Sequence, residues 1–446
     1  MNLSQLIEWQ KEIIDAALDA ANPVKSVEYL FSSGAVQDIL LEKLMKKHYK
    51  RFHLISIGKA AVTMASGLIN HYGDEINGGI IVPKSDFAYE SELWHDRFII
   101  LPSSHPIPDQ CSVEAANEIV HYLNLLDEDD FVYFLISGGG SALITLPEAD
   151  IKLTEIMAMN QLLLACGATI NEINCIRKHI DQVKGGKLIQ KTLPAGFCTL
   201  ILSDVIGDPV DVIASGPTVY DESTFEDALE ILKKYQLREK APDTILRYLE
   251  NGLSGMVFET AKKSQSEINI SAPYIIGGNK NSLNAAAVCA ANLGMKVQIL
   301  SETLVGEASL AANWVIRHAS EVLQNDHNDH DIWCFLCGGE TTVTIKGDGL
   351  GGRNLELALA TVEPLSAIKN AFFVSFATDG EDGPTNAAGA WVTSETLNQA
   401  LAMDLLPEQY LNRNDSYHFF EAIDQLIVTG STGTNVNDIC FLIIGE

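Results

Sequence analysis

The stretch FVYFLISGGGSALI, residues 131–144, decides the fold that the sequence predicts. Its first seven residues form a continuous apolar run, which is typical of a strand that is buried on both faces in a parallel sheet. Three glycines follow the run directly. The stretch therefore predicts a sheet covered by helices on both faces, with a Gly-rich loop at the end of one of its strands.

Further strands are predicted on both sides of this stretch. They are HLISIG (53–58), GGIIVP (78–83), RFIILP (97–102) and FCTLILS (197–203). Helices with an apolar face alternate with them, among them the segment 112–126, for which Ser112 is a plausible N-cap. The first half is therefore predicted to be a Rossmann-like three-layer α/β domain with a mostly parallel sheet.

The polar, Gly- and Ser-punctuated stretch 250–272 predicts a connection between two domains. We expect an amino-terminal domain over 1–250 and a carboxyl-terminal α/β domain with a mixed sheet over 265–446. The amphipathic first helix, from Leu3 to Leu18, is an element that could pack on the other domain.

Composition excludes several classes of function. Among the 446 residues, 30 are Lys or Arg and 59 are Asp or Glu, so the formal net charge is −29. This balance argues against general binding to nucleic acid or to an anionic membrane, since both need a basic surface. We also expect no secretory signal, because residues 1–18 lack a basic stretch followed by an apolar block, and no apolar run in the sequence reaches membrane-spanning length. We expect a cytoplasmic protein with reduced, buried cysteines, and a homo-oligomer is compatible with the sequence.

Two patterns resemble metal or redox sites, but a structural interpretation is favoured for each. Cys334 and Cys337 form a CxxC inside an apolar run and have no second CxxC or HxxxH motif as a partner. His327 and His330 belong to the polar segment NDHNDHD (325–331), which predicts a solvated loop.

Several loops after predicted strands carry groups that could bind an anion. Lys59, in IGKA (57–60), is predicted at a strand-to-helix turn, where a surface lysine is the alternative. The loop Ser137, Gly138, Gly139, Gly140 and Ser141 can present backbone N–H groups to a phosphate, or can be a tight turn. Segment 171–188 contains Arg177, Lys178, His179, Lys184 and Lys187, and a solvated helix face is the alternative there.

Carboxylates follow other strands. Asp204, Asp208 and Asp211 lie in LSDVIGDPVDVIASGPT (202–218), and they suit either Mg²⁺ or Asx turns. In the second half, Glu340 precedes a Gly-rich loop that ends at Arg353, where a helix is predicted to begin. Such an arginine is well placed to bind a carboxylate or phosphate with two parallel hydrogen bonds. Asp379, Glu381 and Asp382 follow a further strand.

Two familiar signatures are missing from the chain, since it contains neither GxxxxGK[ST] nor a GxSxG nucleophile motif. The Gly-rich loop that follows the strand 131–137 is not a GxGxxG motif either. The remaining combination of cations, backbone donors and carboxylates fits phosphoryl transfer with a divalent ion.

Taken together, these loops resemble the class II glycerate kinases, the glycerate 2-kinase family whose carboxyl-terminal part is the MOFRL domain. The matching stretches occur in order from about residue 55 to the carboxyl terminus. They are IGKAA, HPIPD (105–109), LISGGGSALI, NxxRKHIDxVKGGKL (174–188), LSDVIGDPVDVIASGPT, IIGGNKNSLNAA, CGGETTVTIKGDGLGGRNLELALA, ATDGEDGPTNAAGA and TGTNVND.

The resemblance implies a two-domain kinase that transfers the γ-phosphate of ATP to D-glycerate with Mg²⁺, in a cleft between the domains. The lysine and arginine of the family's active site fall on Lys59 and Arg353. We assign substrate or phosphate binding to Ser137, Gly138, Gly139, Gly140, Ser141, Arg177, Lys184 and Asn279. On chemical grounds alone we assign Asp204, Glu340 and Asp379 to the metal. Asp208 or Asp379 is assigned to the ion or to the proton of the substrate hydroxyl.

Two alternatives stay open at this stage. Hydroxypyruvate is chemically close to glycerate, and proteins that resemble this one carry the name hydroxypyruvate reductase, although the lack of a GxGxxG motif after the strand 131–137 argues against a nicotinamide cofactor. A non-catalytic sensor of a sugar acid or nucleotide is the third interpretation.

Overall fold

The computed structural model describes residues 2–32, 49–85, 96–263, 273–325 and 331–445. The chain divides into two compact units. The first unit is Pro23–Ile276, and the second unit combines Met1–Asn22 with Gly277–Glu446. His327 and His330 lie outside the described residues.

The first unit is built on a six-stranded sheet with the order β3-β2-β1-β4-β5-β6. Its strands are β1 (Arg51–Ile57), β2 (Ile76–Val82), β3 (Phe98–Ile100), β4 (Asp130–Ser137), β5 (Gly196–Leu202) and β6 (Tyr274–Gly277). Neighbouring strands from β3 to β5 pair in parallel, which confirms the Rossmann-like prediction. The strand order reverses between β1 and β4, and ligands of such sheets bind beyond the carboxyl ends of the strands at this point.

Helices connect these strands. They are α2 (Pro23–Ser32), α3 (Ala61–Tyr72), α4 (Gln110–Leu123), α5 (Gly140–Leu143), α6 (Leu153–Ala165), α7 (Ile170–His179), α8 (Lys187–Thr192), α9 (Phe225–Lys234) and α10 (Asp243–Leu253), with 3₁₀ turns at Gly73–Glu75 and Ile213–Ser215.

The N-cap of helix α4 lies three residues before the predicted cap, Ser112. Its N-cap is Asp109, whose Oδ1 accepts a hydrogen bond from the backbone N–H of Ser112 at 3.1 Å. The Ser112 hydroxyl in turn accepts from the backbone N–H of Asp109, also at 3.1 Å. The prediction was wrong because either residue type can cap a helix, and this reciprocal pair places Ser112 inside the first turn.

The second unit contains the mixed sheet that the sequence predicts, with the order β11-β10-β9-β12-β8-β7. Its strands are β7 (Lys296–Glu307), β8 (Trp333–Thr342), β9 (Ala371–Ala377), β10 (Gly389–Thr393), β11 (Leu426–Ile427) and β12 (Asp438–Ile444). Strands β7 and β8 are parallel, and the other neighbours are antiparallel. Its helices are α1 (Leu3–Ala20), α11 (Asn279–Asn292), α12 (Ala308–Asn325), α13 (Arg353–Leu365), α14 (Thr396–Ala402), α15 (Pro407–Arg413) and α16 (Ser416–Ala422).

Strand β9 shows why this sheet is covered on both faces. Phe372, Val374 and Phe376 join a buried cluster with residues of α1 and α11, including Ile13. Phe373, between them in sequence, belongs to a separate cluster with residues of α12 and α13. Successive side chains of a strand point to opposite faces, so the continuous apolar run of β9 requires helices on both sides.

No helix in the described part of the chain is both long and apolar enough to cross a membrane.

Candidate active site

Two backbone turns meet where the order of the first sheet reverses. Lys59 follows β1, and its backbone N–H donates to the carbonyl of Gly138, which follows β4, at 2.9 Å. The backbone N–H of Ala60 donates to Oγ of Ser137 at 3.0 Å. These bonds fasten the Lys59 turn to the Gly-rich loop, and they use the Ser137 hydroxyl as a structural acceptor.

The glycines of this loop allow three side chains to approach the backbone. A methyl group placed on Gly138 would overlap the Asp204 carboxylate. One placed on Gly139, where φ is +82°, would lie 3.0 Å from Cδ2 of His105 and 3.3 Å from Cγ of Lys59. The loop therefore gathers Asp204, His105 and Lys59 close to its backbone, an arrangement that glycine makes possible.

A cavity of about 280 Å³ opens beside the loop. It is lined by Gly139, Ser141, Ala142 and Thr145 from the loop and the turn after it, by His105, Pro106 and Pro108, by Ile156, Asn160 and Leu164 of α6, and by Arg177, Ile180, Asp181 and Lys184. An apolar wall with a few convergent polar groups is the usual composition of a small-molecule site.

Arg177 is the cation of this segment that faces the cavity without a carboxylate partner. Its Nε donates to Oδ1 of Asn160 at 2.8 Å, and in the described part of the chain it makes no ion pair. Burial lowers the pKa of Arg177, although the Asp181 carboxylate opposes the shift. A guanidinium keeps its charge in proteins, so the cavity holds a half-buried cation that an anionic ligand would neutralise.

The other predicted cations of segment 171–188 have internal partners. Lys178 pairs with Asp221 and Asp211, His179 with Glu259, Lys184 with Asp181, and Lys187 with Glu148, at nitrogen–oxygen distances of 2.5–3.2 Å. Lys178 and Lys184 are only 3% exposed, so a solvated helix face is the wrong interpretation for them.

Lys184, predicted to bind phosphate, helps to build the cavity wall. Its Nζ donates to Oδ2 of Asp181 at 2.5 Å and to the carbonyl of Ile144 at 2.9 Å. Burial lowers the pKa of Lys184, and Asp181 opposes this shift. Removing either partner would leave a buried charge, so this pair fixes the wall in place.

Ser141 is linked to the loop after β5. Its Oγ lies 2.8 Å from Oγ of Ser215, which donates to Oδ1 of Asn174 at 2.8 Å. Since Ser215 uses its proton on Asn174, the Ser141 hydroxyl donates to Ser215. Its lone pairs then face the cavity as acceptors for a ligand hydroxyl.

Asp208 is half-buried in the loop after β5 and adopts φ of +52°. It is not among the residues that line the cavity.

In the second unit, Arg353 begins α13 as predicted and binds two carboxylates. Its Nε and Nη2 donate to Oδ2 and Oδ1 of Asp438 at 2.5 and 3.0 Å, and its Nη1 donates to Oε1 of Glu340 at 2.6 Å. Three of its five N–H groups are therefore used, and the remaining ones are available to a ligand.

Burial and pairing act in opposite directions at this ion pair. Burial raises the pKa of Asp438 to about 7, although the hydrogen bond from Arg353 opposes that shift. Burial lowers the pKa of Arg353, but the hydrogen bond and charge of Asp438 outweigh it and raise the value above its usual range. Arg353 therefore stays charged, and its charge and hydrogen bonds favour the ionised form of Asp438 against the effect of burial.

Asp379 and Asn279, the other predicted site residues of this unit, stabilise its loops. Asp379 accepts from Nδ2 of Asn435 at 3.0 Å and from the backbone N–H of Glu381 at 3.2 Å. Asn279 donates through Nδ2 to the carbonyls of Val436 and Asp438, both at 2.9 Å. Its buried Oδ1 has no hydrogen-bond partner within the described ranges.

A metal ion was predicted at Asp204, Glu340 and Asp379. Among the described residues, no group of three or more His, Cys, Asp or Glu side chains is placed to hold an ion. Mg²⁺ in kinases is bound through one or two carboxylates together with the phosphates of the nucleotide. The Asp204 carboxylate against Gly138 fits such an ion, since it lies beside backbone groups that suit phosphate.

Sequence reasoning gave no role to four residues of these sites. His105 lay in a matching stretch, and Asp438 in the loop TGTNVND, without a function for either. Asp181 also lay in a matching stretch without a function, and Asn160 lay in none. The position of Asp438 at the start of an apolar run was the one available signal, because a carboxylate that opens a buried strand needs a cation nearby.

Comparisons with known proteins agree with this architecture. The family model described as "Domain of unknown function (DUF4147)" matches residues 10–250, and that of the MOFRL family matches residues 333–438. A D-glycerate 2-kinase of Thermotoga maritima is 38% identical over 94% of this chain and 95% of its own length. A protein of Agrobacterium vitis with a provisional hydroxypyruvate reductase name is 39% identical over 88% of this chain and 99% of its own.

A solved structure is similar over the whole length as well. The crystal structure of a glycerate kinase from Thermotoga maritima has a TM-score of 0.86 and 36% sequence identity, covering 99% of this chain and 100% of that chain.

The fold and the cavity thus define a two-unit α/β protein with a candidate small-molecule site at the switch point of a parallel sheet. The chain belongs to the glycerate kinase family that combines the DUF4147 and MOFRL domains.

Proposed function

We propose that this protein transfers the γ-phosphoryl group of ATP to the 2-hydroxyl of D-glycerate. Its relatives with 38% identity over nearly the whole chain are named glycerate 2-kinases. The function therefore rests first on membership in this family, and the geometry of the first unit supplies the residues that would carry it.

The single observation that supports a small carboxylic acid as substrate is Arg177. Its guanidinium is oriented by Asn160, faces the cavity, and lacks an ion-pair partner in the described structure. A guanidinium binds a carboxylate with two parallel hydrogen bonds, which fixes orientation as well as charge. Arg177 would bind the carboxylate of glycerate, and Ser141 would accept from one of its hydroxyl groups.

Lys59 and the Gly-rich loop would hold the phosphates of ATP. The Lys59 side chain lies over Gly139, and no ion pair with a described carboxylate occupies its ammonium group. Backbone N–H groups of the loop can donate to phosphate oxygens. Lys59 would offset the charge that builds on the transferred phosphoryl group. Electrostatic stabilisation of this kind is the main form of catalysis in phosphoryl transfer.

Mg²⁺ would enter with the nucleotide and take Asp204 as its protein ligand. The ion would supply charge neutralisation at the phosphates. Asp204 would then fix the position of the phosphates relative to the substrate hydroxyl, while Glu340 and Asp379 are already hydrogen-bonded within the second unit.

Arg353 would contribute through the N–H groups that Asp438 and Glu340 do not use. Because Asp438 holds one edge of the guanidinium, the remaining edge has a fixed direction. We assign it to a phosphate or to the glycerate carboxylate, in keeping with the matching arginine of the family.

One reaction mixture tests the proposal. The protein is incubated with ATP, Mg²⁺ and D-glycerate, and the product is assigned by phosphorus NMR, which distinguishes the 2-phosphate from the 3-phosphate. We expect 2-phosphoglycerate and ADP with Mg²⁺ present and no product in excess EDTA. A parallel mixture with hydroxypyruvate and NADH but without ATP tests for reductase activity. If NADH absorbance falls there and no ADP forms in the first mixture, the protein is a hydroxypyruvate reductase and the kinase proposal is wrong.

A further inference from the structure

A chain of three polar side chains leads from the cavity wall into the interior of the first unit. Oγ of Ser141 lies 2.8 Å from Oγ of Ser215, and Oγ of Ser215 donates to Oδ1 of Asn174 on α7 at 2.8 Å. Ser215 is fully buried and Asn174 is 2% exposed, whereas Ser141 is partly exposed and lines the cavity. The proposed reaction gives a role to Ser141 alone, so the two buried members of the chain are left without one.

The inner end of the chain fixes the direction of every hydrogen bond in it. Nδ2 of Asn174 donates to the carbonyl of Val212 at 3.3 Å. A flipped amide would place Oδ1 against that carbonyl, so Oδ1 is the atom that faces Ser215. Ser215 gives its one proton to Asn174 and can bind Ser141 only as an acceptor. The proton of Ser141 therefore lies toward Ser215, and Ser141 turns only lone pairs to the cavity.

The backbone at Ser215 has an unfavourable conformation that the surrounding structure holds in place. Ala214, Ser215 and Gly216 are consecutive residues with φ of +52°, +60° and +58°. A residue with a Cβ adopts this left-handed region only where its surroundings enforce it. The carbonyl of Ser215 accepts from the backbone N–H of Gly185 at 3.1 Å, and that of Gly216 accepts from Gly186 at 2.8 Å. Backbone strain of this kind is typical of functional sites.

We propose that Ser215 and Asn174 are positioning residues that make Ser141 an obligate acceptor, so that the site selects acids with a hydroxyl donor on C3. This inference rests on the proposed kinase function. Ser141 cannot take the proton of the reacting 2-hydroxyl, because its own proton lies on Ser215 and the chain ends at an amide oxygen, which is not a base. It therefore suits a hydroxyl that keeps its proton, and in glycerate this is the 3-hydroxyl.

An obligate acceptor distinguishes between substituents on C3. A hydroxyl can donate to Ser141, whereas fluorine offers only lone pairs and a methyl hydrogen offers no polar contact. A site built to bind a substrate hydroxyl strongly rejects an analogue that lacks it. D-Lactate and 3-fluorolactate of the same configuration keep the carboxylate and the 2-hydroxyl of D-glycerate, and both should be poor substrates.

The test compares kcat/KM for D-glycerate, D-lactate and 3-fluorolactate, measured by ADP release, in the parent, Ser215→Ala, Ser141→Ala and the double variant. For the parent we expect both analogues to lie at least about tenfold below glycerate. In Ser215→Ala the proton of Ser141 can turn toward the fluorine. The preference for glycerate over 3-fluorolactate should then shrink about three- to tenfold, the effect of one net hydrogen bond, with KM for ATP unchanged.

The double variant shows whether Ser215 acts through Ser141. If it does, adding Ser215→Ala to Ser141→Ala should not change the preference for glycerate any further. Thr192→Ala is the matched control, because it also removes a fully buried hydroxyl of the first unit, one that donates to the carbonyl of Leu188 at 3.0 Å. This control should leave the preference among the three acids unchanged.

The outcomes separate this inference from the proposed function. A parent that forms no 2-phosphoglycerate from D-glycerate overturns the kinase proposal itself. An active parent that uses D-lactate or 3-fluorolactate within about tenfold of glycerate overturns this inference alone. So does a preference that Ser215→Ala leaves unchanged, or shifts equally with and without the Ser141 hydroxyl. If Ser215→Ala does not fold, as judged by thermal melting, Ser215→Gly takes its place, since left-handed backbone suits glycine, and the same outcomes decide.

Discussion

Asp438 holds Arg353 by two parallel hydrogen bonds, from Nε to Oδ2 at 2.5 Å and from Nη2 to Oδ1 at 3.0 Å. The carboxylate opens β12, and the arginine opens α13. Asp438 is 7% exposed, so the pair joins the first residue of β12 to the first residue of α13 at a position where the carboxylate is shielded from water. The arginine that the family resemblance selects is therefore a fixed part of the second unit as well as a candidate ligand.

Substitution of Arg353 should affect both activity and stability. Lysine offers a point charge and cannot reproduce two parallel bonds, so we expect Arg353→Lys to lose at least about tenfold in kcat/KM. Arg353→Ala should lose more, and it should lower the free energy of unfolding by about 3–5 kcal/mol because Asp438 is left buried and unpaired. Steady-state kinetics and urea denaturation measure the two effects.

The control for these variants is Arg413→Lys. Arg413 lies 3.9 Å from Asp348, and both side chains are mostly exposed, so this change should leave rate and stability nearly unaltered. If kcat/KM of Arg353→Lys stays within twofold of the parent value, the two parallel hydrogen bonds of Arg353 serve the structure alone and are not needed for the reaction.

Lys59 should behave in the opposite way, with a loss of activity and little loss of stability. Its side chain makes no ion pair with a described residue, and surface lysine substitutions change the free energy of unfolding by about 0.5 kcal/mol or less. We expect Lys59→Ala to reduce kcat by roughly a hundredfold, the usual effect of removing one preorganised donor. Lys240→Ala, on the exposed surface, is the control. If Lys59→Ala is fully active, Lys59 is an ordinary surface residue and does not take part in the reaction.

Arg177 should control the binding of glycerate. A hydrogen bond to a charged group contributes about 1.5–3 kcal/mol, so Arg177→Met should raise KM for glycerate roughly ten- to a hundredfold or more. Arg177→Lys keeps the charge but loses the bond to Asn160, and it should lie between this variant and the parent. KM for ATP should change less, and Arg247→Lys on the exposed face of α10 is the control. Equal increases in both KM values would argue against a carboxylate site at Arg177.

Much of the fold could be predicted from the sequence because its strands are long apolar runs. The run at 131–137 and the run at 371–377 both require cover on two faces, and the structure places buried clusters on each side of β9. The start of α13 at Arg353 was predictable from the Gly-rich loop before it. The CxxC spacing was uninformative, since residues three apart on a strand point to opposite faces, and Cys337 lies across from Cys440 instead.

The candidate site could be predicted only in part, because pairing between distant charges leaves no local signal. From the sequence alone, Lys178 and Lys184 are typical of a basic surface. The structure shows that each is buried in an ion pair, Lys178 with Asp221 and Lys184 with Asp181. Arg177 differs from these lysines only in lacking such a partner within the described structure. Its bond to Asn160 connects two helices, and nothing in either helix predicts it.

Glu259 should make stability depend on pH in acid solution. Its carboxylate accepts from Nε2 of His179 at 3.1 Å and from the backbone N–H of Phe225 at 2.9 Å. Burial alone would raise the pKa of Glu259, but the bonds from His179 and Phe225 outweigh it and lower the pKa to about 2. An acid whose folded pKa lies below its unfolded value of 4.5 stabilises the protein above pH 4.5, and this contribution is lost as the pH falls toward 2.

Urea denaturation of the parent and of Glu259→Gln, at about pH 6 and about pH 3.5, measures this contribution. At pH 6 the variant should be the less stable protein, since an amide is a weaker acceptor for His179 and for the backbone of α9. At pH 3.5 the difference should shrink, because the parent carboxylate is then being protonated in the unfolded chain. Glu114→Gln, at an exposed position of α4, should show no such change with pH. A difference between parent and Glu259→Gln that is the same at both pH values would mean that Glu259 contributes through packing rather than through its charge.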